Sequence, residues 1–347
     1  MTKYSPNIEY HQHDLIEEQL YANGGQLIIA GESTDGPYYE PIYIPNIEVA
    51  KYYFKNGSMV KKYQDVLLYN PSLEVQMMRI YPNTFEEAYE YLKVYDFDLL
   101  LLDNFKFGES EEHINAFIEF AKDKESNGKI IHGIVDLMPF NHINDLKHVF
   151  DVMKHLSFQT DMYEEQYGKY FSVVVDQLKD VDASAIYASM LATLDIDLSP
   201  NNKPLPAELK REFTKKELID LRNNGIVAFR NSIARGVVCA SSTTAVQSKN
   251  NPYKQVENFR IVQRIVHEIK DAVGKYVGSV GISLYAEKIA NIISGSLREY
   301  QQLEIIRDFD FDIDIDELKG SITIMLTLVP IFTLEKITAH AQVYLKK

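Results

Sequence analysis

Tryptophan is absent from the 347 residues, and cysteine occurs once, at Cys239. A single thiol excludes an internal disulfide and any metal site built from several cysteines. It suits a chain that folds in a reducing compartment. Basic residues are also in deficit, with 36 Lys and Arg against 50 Asp and Glu and a formal charge of −14. Such a balance argues against nucleic acid as a partner, because phosphates demand basic surface. No apolar run reaches the roughly 18 residues of a membrane span. The opening MTKYSPNIEYHQHDLIEEQL lacks the basic end and apolar stretch of a secretory signal. Internal repeats and low-complexity tracts are missing as well.

What is present is ordinary globular material, 46% hydrophobic and 25% charged, long enough for one large domain or two of usual size. The 23 Tyr and 17 Phe most simply build cores and contact surfaces. Charge is unevenly spread. Between Lys203 and Arg307 there are 17 basic and 10 acidic residues, a local +7 that leaves −21 for the rest. Two readings are open: accidental unevenness on a solvated surface, or a subunit whose basic and acidic regions pack head to tail with copies of itself.

The first half alternates short apolar runs with helical stretches. Gln26–Gly31, Leu73–Ile80, Phe97–Asp103, Lys129–Asp136 and Phe171–Val175 read as buried strands, with helices near Glu111–Lys124 and Ile143–His155. That alternation predicts a parallel or mixed sheet covered on both faces. Asp182 is placed to cap an alanine-rich helix over 183–194, and the proline- and asparagine-rich 197–206 reads as an inter-domain connection. Beyond it come a helix near Lys215–Asn223, a turn at Asn224-Gly225, and strands at Ile226–Phe229 and Gly236–Ala240. Long helices follow near Val256–Tyr276, with Ile261, Ile265 and Ile269 on one face, and Leu284–Leu303; strands close the chain at 305–315 and 320–328. The two end segments, 1–20 and 337–347, lack local partners. Thr338–Leu345 alternates like a strand with no hairpin turn before it, and such a strand must pair elsewhere.

Candidate chemistry is sparse. Gly31-Glu-Ser-Thr-Asp-Gly36 follows a strand as a phosphate loop does, but Pro37-Tyr38 stand where Lys and Ser or Thr would hold phosphates and magnesium, so a turn is expected. His11-x-His13 with Asp14 offers too few zinc ligands. His132, His142, His148 and His155 are scattered and read as satisfied or surface residues. Asp308-Phe-Asp-Phe-Asp-Ile-Asp-Ile-Asp316 puts five aspartates on one strand face. Without the glycine turn and twelfth-position glutamate of a calcium loop, this reads as an acidic face turned to solvent or a basic neighbour. No nucleophile motif surrounds any Ser or Cys239. No catalytic, cofactor-binding or metal residue is assigned.

Taken in order, several segments resemble the contractile tail sheath family of phages and related injection systems. Gly25-Gln-Leu-Ile-Ile-Ala-Gly-Glu-Ser-Thr-Asp-Gly-Pro37, followed by Glu40-Pro-Ile-Tyr-Ile44, is similar to the family's early strand, its Gly-Pro turn and its Pro-Val-x-Val continuation. Ile186–Leu194 and Ser199-Pro-Asn-Asn-Lys-Pro204 resemble the central helix and SP-x-NKP connector. Leu221–Phe229, Arg235-Gly236, Ala240–Thr244 and Asn258–Val262 resemble, in turn, the Leu-x-x-x-Gly-Val step, the segment after it, the Ala-Arg-Thr position and the Val-Arg-Arg entry to the long helix. The resemblance spans residues 25–345. The opening departs from the family's Gly-Val-Tyr-Val-x-Glu pattern.

The resemblance implies a mixed α/β (α+β) sheath-protein fold: a mixed sheet flanked by helices, a C-terminal α+β domain and extended terminal arms. It implies an N-terminal arm over 1–20, an α/β domain over 21–200, a tube-facing domain over 201–336 and a C-terminal arm strand over 337–347. It further implies a non-enzymatic homopolymer of stacked rings or a helix around an inner tail tube protein, with baseplate and neck proteins at its ends. Arm contacts fall on Tyr4, Ile8, Tyr10, Ala339, Gln342, Val343 and Tyr344, and a tube contact on Lys288 and Arg298. The alternatives are a sheath-like neck or collar ring, or, in a different class, a soluble α/β nucleotide-binding protein or enzyme.

Overall fold

A computed structural model describes residues 25–156, 166–247, 251–276, 285–316 and 321–331. The chain divides into two compact units, residues 1–271 and 272–347.

In the first unit the described elements are β1 (Leu27–Gly31), β2 (Ile42–Ile44), α1 (Ile47–Phe54), α2 (Ser58–Tyr69), β3 (Val75–Arg79), α3 (Phe85–Leu92), β4 (Leu99–Phe107) and α4 (Glu111–Ser126). They continue with β5 (His132–Leu137), α5 (Lys147–Leu156), β6 (Phe171–Val174), α6 (Ala183–Thr193), α7 (Lys215–Asn223), β7 (Ile226–Ser232), β8 (Gly236–Ser241) and α8 (Val256–Gly274), the last running into the second unit. The eight strands form one sheet in the order β2-β3-β1-β4-β5-β6-β7-β8. The six inner strands are parallel, and β2 and β8 close the edges antiparallel. This is the mixed sheet that the alternating runs predict.

Strand periodicity explains why the runs are continuously apolar. Ile28, Ala30, Leu100 and Leu102 point to one face, under α3, α4 and α5; Leu27, Ile29, Leu99 and Leu101 point to the other, under α1, α2 and α6. Burial of each such side chain contributes on the order of 1.5–3 kcal/mol. Asp182 caps α6 as expected, its Oδ1 accepting from Ala185 N at 2.9 Å. Residues 183–192 of that helix are buried all round, because its alanines and serines allow neighbours to approach closely.

Helices α1, α2 and α3 and the three-residue β2 are additions to the expected elements, none of which falls at 42–44, 47–69 or 85–92. The signals are Asn46, whose Oδ1 accepts from Val49 N at 3.0 Å, and Gly57 at the start of α2. The segment 197–206 connects α6 to later parts of the same sheet: β6 and β7 pair directly through Val173↔Ile226 and Val174↔Val227.

The described elements of the second unit, after the end of α8, are α9 (Ala286–Gln302), β9 (Ile306–Asp316) and β10 (Ser321–Pro330). The two strands pair antiparallel with Ile322, Ile324, Leu326 and Leu328 opposite Ile315, Ile313, Phe311 and Phe309. One face of the ribbon is therefore apolar, and the other carries the aspartates opposite Ser321, Thr323, Met325 and Thr327. Ile289, Ile293, Leu297 and Tyr300 form the buried stripe of α9.

Candidate functional site

An open parallel sheet offers its ligand crevice at the carboxyl ends of the strands, where the winding reverses. Here that point lies between β1 and β4, since the chain passes from β1 first to β3 on one side and then to β4 on the other. The chain's own side chains converge there. Ser58 Oγ donates to Asp103 Oδ2, and Asn104 Nδ2 donates to Glu32 Oε1 at 3.3 Å. Deeper in, Lys62 Nζ lies 2.7 Å from Asp182 Oδ2, 3.1 Å from Asp136 Oδ2 and 2.8 Å from Ser184 Oγ. Lys106 Nζ stands 3.5 Å from the same Asp136 oxygen.

The Lys62 side chain is 2% exposed. Burial alone would lower its pKa, but Asp136, Asp182 and Asp103 outweigh that and hold it above the ordinary lysine range. Burial tends to raise Asp182, and the Lys62 ammonium more than compensates, leaving it at about 2. Asp103 is pushed up by burial. The network is an internal ion-pair lock tying α2, β5 and the start of α6 together. Its one central ammonium is already bound to two carboxylates and a hydroxyl, so it presents no anion-binding surface.

The Gly31–Gly36 loop owes its glycines to packing. A Cβ on Gly31 would collide with the side chain of Asp103, and Gly36 has φ +99° with the Phe54 ring 2.6 Å from where its Cβ would stand. The Cys239 thiol is buried and pushed up by that burial, away from the range of a nucleophile. His132 is buried between Ser172 Oγ at 2.8 Å and Lys169 O at 3.2 Å, and burial lowers it to about 3. His142, His148 and His155 are exposed. Among the described residues no group of three or more His, Cys, Asp or Glu could hold a metal ion.

In the second unit, Lys288 and Arg298 are both exposed on α9. At 100° per residue they sit roughly 80° apart on the side away from the buried stripe. The aspartates at 308, 310, 312 and 314 alternate with half-buried Phe309, Phe311, Ile313 and Ile315. Successive carboxylates on that face are about 6.7 Å apart along the strand and run in parallel rather than converging. The arm residues Tyr4, Ile8, Tyr10, Ala339, Gln342, Val343 and Tyr344, and His11 and His13, lie outside the described residues.

This fold, an eight-stranded mixed sheet flanked by helices and followed by a helix and a two-stranded ribbon, is similar to that of solved contractile sheath proteins. The chain is similar to the sheath complex of an extracellular contractile injection system, PVC, in its contracted state, with 14% identity, 99% of this chain and 98% of that one covered, and a TM-score of 0.69. The helical sheath of the anti-feeding prophage in its contracted state is similar over 92% of this chain and 93% of its own, at 14% identity and a TM-score of 0.67. A sheath tail protein of Desulfitobacterium hafniense is similar over 95% and 99%, at 10% identity and a TM-score of 0.60. No protein-family model matches the sequence, and no curated protein does.

Proposed function

We propose that this chain is a structural subunit of a contractile sheath, polymerising around an inner tube and contracting to drive that tube through a cell envelope. The observation that carries the proposal is likeness over nearly the full length of both chains to a sheath complex in its contracted state. The role is mechanical and non-catalytic. The ion-pair lock at the strand ends fits it, because a subunit that rotates as a body gains from a stiff centre.

In this reading the two terminal arms, 1–20 and 337–347, add strands to neighbours' sheets, so that backbone hydrogen bonds keep the lattice joined while the bodies rotate. The ribbon β9–β10 supplies edges for such pairing. The tube-facing surface falls within 201–336, on Lys288 and Arg298. The remaining partners are the inner tube protein and the baseplate and neck proteins, in a virion tail or an injection particle assembled in the host cytoplasm. Among the described residues no helix is long and apolar enough to cross a membrane.

A second reading, a ring at one end of the sheath, is favoured by similarity to a chain of the anti-feeding prophage baseplate, at 13% identity and a TM-score of 0.68. The arm assignment is tested by deleting 337–347. Sedimentation should then show a folded monomer that no longer assembles; polymers of unchanged length and yield would refute it.

A further inference from the structure

The large sheet carries two unlike surfaces toward its opposite edges. Beside β3, Tyr38 stacks on Tyr81 with ring centroids 3.6 Å apart. Tyr39 lies parallel to Tyr91 at 4.9 Å and meets Tyr81 at 5.9 Å. The four rings form one cluster and are held in place. Tyr39 Oη donates to Glu87 Oε2 at 2.6 Å, and the Arg79 guanidinium sits 4.0 Å from the Tyr38 ring centre while donating to Gly36 O at 2.9 Å. Yet Tyr81 and Tyr91 are 46% and 53% exposed, and Val94 is 78% exposed. Glu40, beside Tyr39, and Glu87 and Glu90, on the helix that carries Tyr91, are exposed, with Glu90 also accepting from Lys93 at 2.7 Å. Aromatic rings fixed in advance lose little freedom on binding, which is the property of interface anchors.

At the other edge is the hairpin β7–β8. Ile233, at its tip, is 111% exposed. Arg230 and Arg235 flank it; no carboxylate occurs between Ile226 and Ser241, and Glu212 accepts from Asn231 Nδ2 beside it. Asn202 holds both arginines, its Oδ1 accepting from Arg230 at 2.6 Å and its carbonyl from Arg235 at 3.2 Å. Because β7 runs parallel to β3, the tip lies at the same end of the sheet as the tyrosines, five strand spacings or roughly 24 Å away.

We propose that the hairpin tip of one copy docks on the tyrosine cluster of the next, with Ile233 seated against Tyr81, Tyr91 and Val94, and the two arginines meeting Glu87, Glu90 and the ring faces. This rests on the sheath reading and names the contact between its subunits. The two surfaces are complementary in charge and in apolar character, whereas like surfaces brought together would repel. Where each surface engages a different neighbour, the contact is head-to-tail and repeats into a ring or helix.

The test places a photo-crosslinking benzoylphenylalanine at position 233 of the full chain under conditions where it self-associates. Crosslinked peptides should map to 79–94 of another copy. In parallel, Arg235→Glu should lower assembly at least tenfold, and Glu90→Arg in the same chain should restore it, with circular dichroism confirming that each variant folds. Crosslinks that map elsewhere within a polymer, or to a different protein, overturn this contact and leave the sheath reading standing. A chain that stays monomeric at every concentration, with and without its tube, overturns both.

Discussion

Leu27, Ile28, Ile29 and Ala30 in the large sheet are at most 2% exposed, whereas Phe309, Phe311, Ile313 and Ile315 in the two-stranded ribbon are all only half-buried. A continuous apolar strand and an alternating one thus end differently. In the first unit both sheet faces are roofed by helices, so every inward residue is sealed. In the second, one apolar ribbon face is covered in part, and a two-stranded ribbon is marginal in water by itself. Among the described residues, the strands of the large sheet are sealed within the subunit, while those of the ribbon keep half-buried apolar side chains.

The largest effect is expected at Lys62. Lys62→Met leaves Asp182 without its ammonium and Asp136 with only Lys106, 3.5 Å away, and should cost about 3–5 kcal/mol in urea unfolding of the first unit. A loss below about 1 kcal/mol would mean the lock is not a structural centre. Paired truncations sharpen the contrast between units. Ile29→Ala, in the sealed sheet, should cost about 2–5 kcal/mol, and Ile313→Ala, half-buried, about 1 kcal/mol in the unassembled chain. Equal costs would erase the distinction drawn between the two units.

Lys124 gives a pH test inside the first unit. Its side chain is buried and donates to Lys93 O at 3.1 Å and Tyr95 O at 2.5 Å, and burial lowers it to about 8. A base lowered in the fold is a cost below that pH, when folded and unfolded chains are both protonated. The cost is relieved as pH rises from about 8 toward its unfolded value near 10.4. Wild-type stability minus that of Lys124→Met should therefore increase over this interval, by about 2 kcal/mol. Taking the difference removes the opposing trend from Lys62, which lends stability at low pH and loses it at high pH. A flat difference would show that Lys124 keeps its proton freely. The smallest effect belongs to the acidic ribbon face. Asp310→Asn with Asp312→Asn should change monomer stability by less than about 0.5 kcal/mol, since both side chains are exposed, while altering the salt dependence of assembly.

Much of the scaffold is legible in the residues because both faces of the inner strands are buried, which turns them into continuous apolar runs. Strand β4 runs on to Phe107, past the reading's end at Asp103, because polar Asp103, Asn104 and Lys106 interrupt the pattern where the register against β5 shifts. Helix α2 escapes notice in part because its inward face includes Lys62 and Asp65, charges that a sequence pattern assigns to solvent. The lock itself could not be read. Lys62 meets Asp136 and Asp182 across 74 and 120 residues of chain, and nothing local marks those partners. The tyrosine cluster is hidden for the same reason, being assembled from a loop, a strand end and a helix.

Assembly of this chain into a sheath, as proposed above, is open to electron microscopy of the purified full chain at raised concentration. Hollow tubes, with a bore wide enough for an inner tube and a subunit density that fits this fold, are the predicted result. Monodisperse monomers under all conditions, including in the presence of assembled tube, would contradict it.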